Sequence, residues 1–537
     1  MTSSSFEVII VGGGHNGLVC AAYLAKAGHK VLLLERNERV GGAAITREFA
    51  DGFSVSACAQ WLYQFNPTVQ ADLNLAQHGL QLAARDLDTI ALAADGNHVT
   101  LSSTTVHGTS VSQQDQLAYS SFTQQMQKFA SLLASASERR APKLLHSNWT
   151  DRITLLKLGL GMKMLGKQDM QDLMRIALIN IYDVMQENFD NHLLQAALSL
   201  DGTLGTHMGP RSPNSVFSFL HRRLGEVFGF NGPAVVKGGM GELSEALAKA
   251  AVSYGVELRT LAAVGKINCN ADGVTGVTLT SGEIFNTPVV VSNADPKTTF
   301  EKLVGLRNIE TGVARRVSTI RMKGNVAKLH LALDGLPDFS GLDMLQQGQR
   351  LLIAPSMDAM ERAFNAAKYG EFSAEPVMDI CIPSLHDSSL APAGKHVLSA
   401  LVQYAPYDLK AGWAPVRETY TQLLIERLGA YAPNIGARVL ATELLTPVSL
   451  EREFHLGGGH WHHGEISLDQ IMMMRPFPGA TQYAMPLAGL YLCGAGAHPG
   501  GGVMGLAGRN AANEIISNSK RANTGSIATT KQQEGNS

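Results

Sequence analysis

The chain has 537 residues, 45% of them hydrophobic and 17% charged, with a formal net charge of −2. That length supports a large core divided among several domain-sized units, and a near-neutral charge without a basic run excludes a nucleic-acid-binding protein. No apolar stretch reaches the roughly 18 residues of a membrane-spanning helix.

Only residues 1–5 precede the first apolar run, so no targeting segment is expected and the protein is placed in the cytoplasm. Residues 8–11 are an apolar, β-branched run, as in a strand buried in a parallel sheet. Gly12, Gly14 and Gly17 follow as G-x-G-x-x-G, with His15 and Asn16 inside the motif, and 18–27 read as a helix ended by Gly28. A second apolar strand, 30–34, ends on Glu35, near the spacing of about 20 residues at which an acid binds a ribose. Gly12 permits the tight turn, Gly14 lets backbone approach a pyrophosphate, and Gly17 lets helix pack on strand. The helix start offers free N–H groups and a positive dipole end to the diphosphate. Glu35 would accept hydrogen bonds from both ribose hydroxyls and repel a 2′-phosphate. Beyond Arg36, the pair Gly41-Gly42 before Ala43 marks a second place where a loop can pass close to a ligand.

Apolar residues at three- and four-residue intervals then predict helices over 116–134, 153–165, 170–185 and 192–200. The piece 152–167 is very apolar, contains three glycines and carries only basic charges. It reads either as a core helix or as a lid resting on a bilayer surface. Gly238, Gly239 and Gly241 open another helix, over 243–254, followed by strands at 256–260 and 263–267, a hairpin at 273–283 and a buried strand at 288–292. A return to the nucleotide domain this late makes the helical block an insertion. Residues 310–455 mix helices with strands near 327–333, 377–383 and 396–403, the expected sheet of a second domain. After 516 no apolar pattern remains, and the tail 517–537 is expected to be disordered.

The second strong signal closes the chain. A buried strand at 490–493 runs into a loop with six glycines between 494 and 505, then into a helix expected to start near Val503. So many glycines let the backbone lie against a flat ring, and a helix start can stabilise negative charge on a reduced flavin. The five cysteines (Cys20, Cys58, Cys269, Cys381, Cys493) are scattered. They form neither the pair a flavin disulfide reductase needs nor a metal-ligand set, and are expected to be free thiols. His460, His462 and His463 invite a metal, but on a strand only two of them share a face. No metal is expected.

Gly41-Gly42 after Glu35, Lys237-Gly-Gly-Met-Gly241, Ser292-Asn-Ala-Asp-Pro296, Gly458-Gly459 with His463-Gly464, Arg475-Pro476 and the closing loop together resemble the phytoene desaturase-related FAD-dependent oxidoreductases. Within them the likeness is greatest to the branch of pyridine nucleotide-disulfide oxidoreductase domain-containing protein 2, and it spans the chain except the tail. The resemblance implies an α/β fold: a discontinuous, Rossmann-like FAD-binding domain of 1–114, 225–309 and 456–516, interleaved with an α+β substrate domain of 115–224 and 310–455. It implies FAD held by Gly12, Gly14, His15, Asn16, Gly17, Glu35, Arg36, Gly41, Gly42, Ala43 and the backbone at Val264, with the flavin against Gly494, Gly502, Val503 and Met504. The implied activity is hydride transfer from a C–H bond of an apolar, polyene- or isoprenoid-like substrate to flavin N5, with quinone or oxygen as electron acceptor. His463 is the candidate catalytic base, or else a residue that orients the flavin. The rival readings are a flavin amine oxidase, which wants an aromatic cage, and a non-catalytic prenyl- or lipid-binding relative. Peripheral membrane contact and either a monomer or a homo-oligomer remain open.

Overall fold

The computed structural model describes residues 6–143 and 147–534, with side chains through Arg521. Its first sheet is five-stranded and parallel, in the order Glu257–Arg259, Val31–Leu34, Val8–Val11, Val290–Ser292, Leu490–Leu492. Ile9 stands between Leu32 and Val290, and all three are fully buried. Burial on both faces explains the unbroken apolar runs of these strands. Helix His15–Lys26 packs against helices Gly241–Ser253 and Leu506–Glu534 over this sheet. A three-stranded antiparallel layer (Val264–Asn270, Gly273–Leu279, Ile284–Asn286) adjoins it.

The second sheet has eight strands in the order Val439–Leu445, Val326–Leu333, His396–Gln403, Val377–Cys381, Arg350–Ile353, Thr89–Ala91, Val99–Leu101, Val106–His107. Strand alternation decides what each face meets. Leu351, Ile353, Met378 and Ile380 pack under helix Trp413–Gly429, whereas Leu352 and Val377 face the helical block of 113–222. The fold is α/β.

Several expectations shift. Thr89 pairs in parallel with Arg350, so 89–107 belongs to the second sheet although it lies inside the segment assigned to the nucleotide domain. Residues 170–185 form parts of two helices, Lys167–Ile176 and Ile181–Asn188, because Asn180 caps the second by accepting from the Asp183 N–H. The closing helix starts at Leu506, since Val503 (φ +57°) and Gly505 (φ +74°) hold the chain left-handed until then. That helix continues to Glu534, so most of the tail expected to be disordered is helical. Leu506, Ala511, Ala512 and Ile515 bury its first turns in the core, and no proline follows to break the backbone hydrogen bonding. Residues 535–537 lie outside the described residues. No described helix is long and apolar enough to cross a membrane.

Candidate active site

The first wall of the site is the turn between strand Val8–Val11 and helix His15–Lys26. Gly12 makes the turn at φ +99°, a conformation open to glycine. Gly14 is the N-cap, extended and unable to cap with a side chain, which leaves the first N–H groups of the helix free for an anion. A Cβ on Gly17 would overlap the Gly12 carbonyl. Glu35, 5% exposed, accepts from the Gly13 N–H (2.7 Å) and the Asn37 N–H (2.8 Å). Burial raises its pKa, against the pull of those bonds. Gly41 donates its N–H to the Gly13 carbonyl (2.8 Å), which lays Gly41-Gly42 along the turn. Ala262 donates to the Glu35 carbonyl (2.8 Å), bringing the start of the next strand, Val264, beside the acid. Arg36 is exposed. Asn16 serves packing instead: it is buried, and its Oδ1 faces the Gly508 N–H at 3.4 Å where the first and last helices cross.

The second wall is the closing loop. A Cβ on Gly494 would strike the Asn293 carbonyl, and one on Gly502 would strike Gln64. Met504 is buried, and its carbonyl accepts from the Asn66 N–H (3.1 Å). Val503, β-branched and left-handed, is backbone strain held by its surroundings. Arg475 holds the loop in place. Its guanidinium is fully buried and donates to the carbonyls of Ala495 (2.7 Å), Glu465 (3.0 Å), Gln470 (2.9 Å) and His462. Burial lowers its pKa to about 10.

Between the walls lies a cavity of about 770 Å³, including its opening to solvent. His15 and Ala43 contribute from the nucleotide side, and Gly501, Gly502 and Val503 from the closing loop. The substrate side comes from Cys58, Gln60, Trp61, Tyr63, Leu401 and Trp461. Burial pushes the Cys58 thiol up to about 12, so it remains a thiol. Among the described residues Arg222 is the only Lys, Arg, Asp or Glu in the lining, and its guanidinium lies 4.2 Å above the Tyr63 ring. Tyr63 and Arg222 also line a neighbouring cavity of about 680 Å³.

Behind the Gln60–Trp61 wall runs a buried polar network that sequence reasoning missed. Lys328 donates to Gln60 Oε1, and burial lowers its pKa to about 8. The Trp61 indole N–H donates to Asp379 (2.9 Å), which also receives Arg350 Nε (2.9 Å). Arg350 reaches Asp201 (2.7 Å), and Asp201 is shared with Arg222 (2.9 Å). The signal was available: Lys328 and His330 stand two apart in an otherwise apolar strand, where an unpaired charge would be costly.

The histidines separate by role. His462, not His463, lines the cavity. His463 sits in a turn at φ +55°, its N–H donating to the His460 carbonyl (3.0 Å), and it adds to the burial that lowers the His15 pKa to about 4. Burial lowers the His463 pKa to about 4, which leaves it neutral but a weak base. His460 pairs with Glu465 (3.1 Å), and among the described residues no group of three or more side chains is placed to hold a metal.

The sequence profile described as flavin-containing amine oxidoreductase matches residues 17–516. The chain belongs to this family. Pyridine nucleotide-disulfide oxidoreductase domain-containing protein 2 of Mus musculus is 35% identical over 95% of this chain and 93% of its own. A limonene dehydrogenase polypeptide of Castellaniella defragrans is 26% identical over 95% and 94%, and phytoene desaturases match more weakly. Among solved structures, the cyclohexylamine oxidase of Brevibacterium oxydans superposes with a TM-score of 0.57 over 96% of this chain and 100% of that one, at 14% identity, a likeness of fold.

As a member of this family the protein is an oxidoreductase whose cofactor is FAD. The chain's own residues fit that group. The uncapped helix start and Glu35 suit a diphosphate and a ribose. His15 Nε2, His462 Nδ1 and His463 Nδ1 are buried without hydrogen-bond partners, as polar atoms awaiting a ligand would be. Trp61 and Tyr63 line the same cavity as Trp461, which is distant from them in sequence, so aromatic side chains gather at the closing motif.

Proposed function

We propose that this flavoprotein oxidises a C–H bond of an apolar, polyene- or isoprenoid-like substrate, as a dehydrogenase or desaturase, with quinone or oxygen as the final electron acceptor. The observation that carries the reading is the cavity wall. It is largely apolar and aromatic, and among the described residues its one fully charged side chain is the cation Arg222 and it presents no carboxylate to hold an ammonium group. The names of two kinds of relative, limonene dehydrogenase and phytoene desaturase, point to hydrocarbon substrates. Bound FAD supplies the acceptor for the hydride.

The chain's residues would hold and orient. The Gly12 to Gly17 turn and Glu35 would fix the nucleotide end, and the loop of Gly494, Gly502, Val503 and Met504 would fix the ring. Leu401, Trp61 and Trp461 would bury the substrate and exclude water. His463, neutral near pH 7, would take a hydrogen bond or receive a proton released from the oxidised substrate. Its low pKa makes the orienting part the stronger one.

A second reading, amine oxidation, is favoured by the three aromatic side chains in the cavity. Anaerobic mixing separates the two. A terpene or polyene should bleach the flavin absorbance and primary amines should not, and NADH and NADPH should act slowly. Fast reduction by an amine establishes the second reading, and fast bleaching by either nicotinamide overturns both.

A further inference from the structure

Helix Trp149–Met164 is tied to the rest of the molecule mainly at its N-terminus. Asn148 and Asp151 form a capping box, and Asp151 is buried against Arg140 (3.1 Å) and Gln482 (2.8 Å). Arg140 is anchored in turn by Glu514 of the closing helix (2.9 Å). Beyond that anchor Thr154 is the only other buried residue of the helix. Its outer face carries Trp149 (77% exposed), Ile153, Leu156 (72%), Leu160 and Met164 (79%). These recur every three or four residues and so form one stripe. Arg152, Lys157 and Lys163 are exposed along its edges and face no carboxylate at ion-pair distance among the described residues. The only acid in the helix is the buried Asp151. None of these residues lines either cavity described above, so the helix is not a gate to them.

We infer that this helix docks the protein on an anionic phospholipid surface, its apolar stripe in the headgroup–acyl boundary and its cations among the phosphates. Charge complementarity selects this occupant. Among the described residues the stripe is edged only by cations without a carboxylate partner, Arg152 lying over the Trp149 ring, and that is the pattern of an interfacial helix. A symmetric contact between two copies would instead bring the same cations against each other. The inference is independent of which substrate the enzyme oxidises.

The test is co-sedimentation of the full-length, FAD-loaded protein with phosphatidylcholine vesicles, with and without phosphatidylglycerol. The wild type should pellet with the anionic vesicles and be released by salt. Leu156→Asp with Leu160→Asp should stay in the supernatant while keeping its flavin absorbance. Lys157→Glu with Lys163→Glu should lower partitioning at least about fivefold for each lysine removed, which corresponds to about 1 kcal/mol per basic residue at such a surface. A wild type that pellets with neither vesicle overturns the inference. So does equal pelleting of all three proteins. Light scattering that finds a dimer dissolved by the aspartates would assign the stripe to a second copy and overturn it as well.

Discussion

Replacing Lys328 with methionine should make the folded protein more stable at neutral pH. Lys328 is 1% exposed, and burial lowers its pKa from the ordinary 10.5 to about 8. That difference corresponds to about 3 kcal/mol of destabilisation when the ammonium is charged. The hydrogen bond to Gln60 returns about 1 kcal/mol, so the variant should gain about 2 kcal/mol at pH 7. The unfolded chain keeps its proton up to about pH 10.5 and the folded chain loses it near pH 8. Over that interval the unfolded state binds more protons, and wild-type stability rises with pH. The variant lacks this rise of about 3 kcal/mol, so its advantage of about 2 kcal/mol should vanish at about pH 9.5 and be reversed by about 1 kcal/mol at pH 10.5. Urea denaturation of both proteins at pH 7, 9 and 10.5 measures it, and the difference between them cancels every other titrating group. A variant less stable at pH 7, or a difference independent of pH, would refute the argument. An ammonium kept at such a cost is expected to position Gln60 in the cavity wall, so the more stable variant should also reduce its flavin more slowly with substrate.

Gly14→Val places a Cβ 2.6 Å from Asn293 Nδ2 at the helix start, and the protein should purify without flavin absorbance. Full occupancy would remove the nucleotide assignment. Arg475→Met strips the partner from several buried carbonyls at about 1–3 kcal/mol each. It should lower the urea midpoint by several kcal/mol equivalent and release FAD, and a loss under about 1 kcal/mol would contradict the clamp. His221 and His498 are held neutral by burial, each pulled from 6.5 to about 4, and burial pushes His330 and His462 well below 6.5. The unfolded chain takes up those protons as pH falls below about 6.5, so stability should decline between about pH 6.5 and 4. A melting temperature unchanged between pH 7 and pH 5 would show that these rings are not held neutral.

The nucleotide half of the site was legible because its determinants lie close together in the chain. A glycine at positive φ, a helix start without a side-chain cap and an acid at the end of the next strand are all properties of residues 8–35. The closing loop was legible for the same reason, though its helix starts later, because the left-handed turn at Val503 has no sequence signature in a β-branched residue. The placement of 89–107 was not legible. A short strand pairs equally well with either sheet by its pattern, and only the Arg350–Ile353 edge decides.

By itself, then, the sequence determined the dinucleotide turn, the apolar strands of the parallel sheet and the glycine-rich loop at the end of the chain. In each of these the backbone conformation depends on a residue and its near neighbours. The tertiary structure alone decided that Trp61, Arg222, Leu401 and Trp461 share one cavity and that Lys328 and Asp379 stand behind its wall. It also decided that Leu156 and Leu160 of the helix at 149–164, rather than Leu155 and Leu158, face outward. Periodicity shows that a helix has a face, but which face meets water depends on what packs against the other side, here the helix Gln113–Ser137 and, from far along the chain, Gln482.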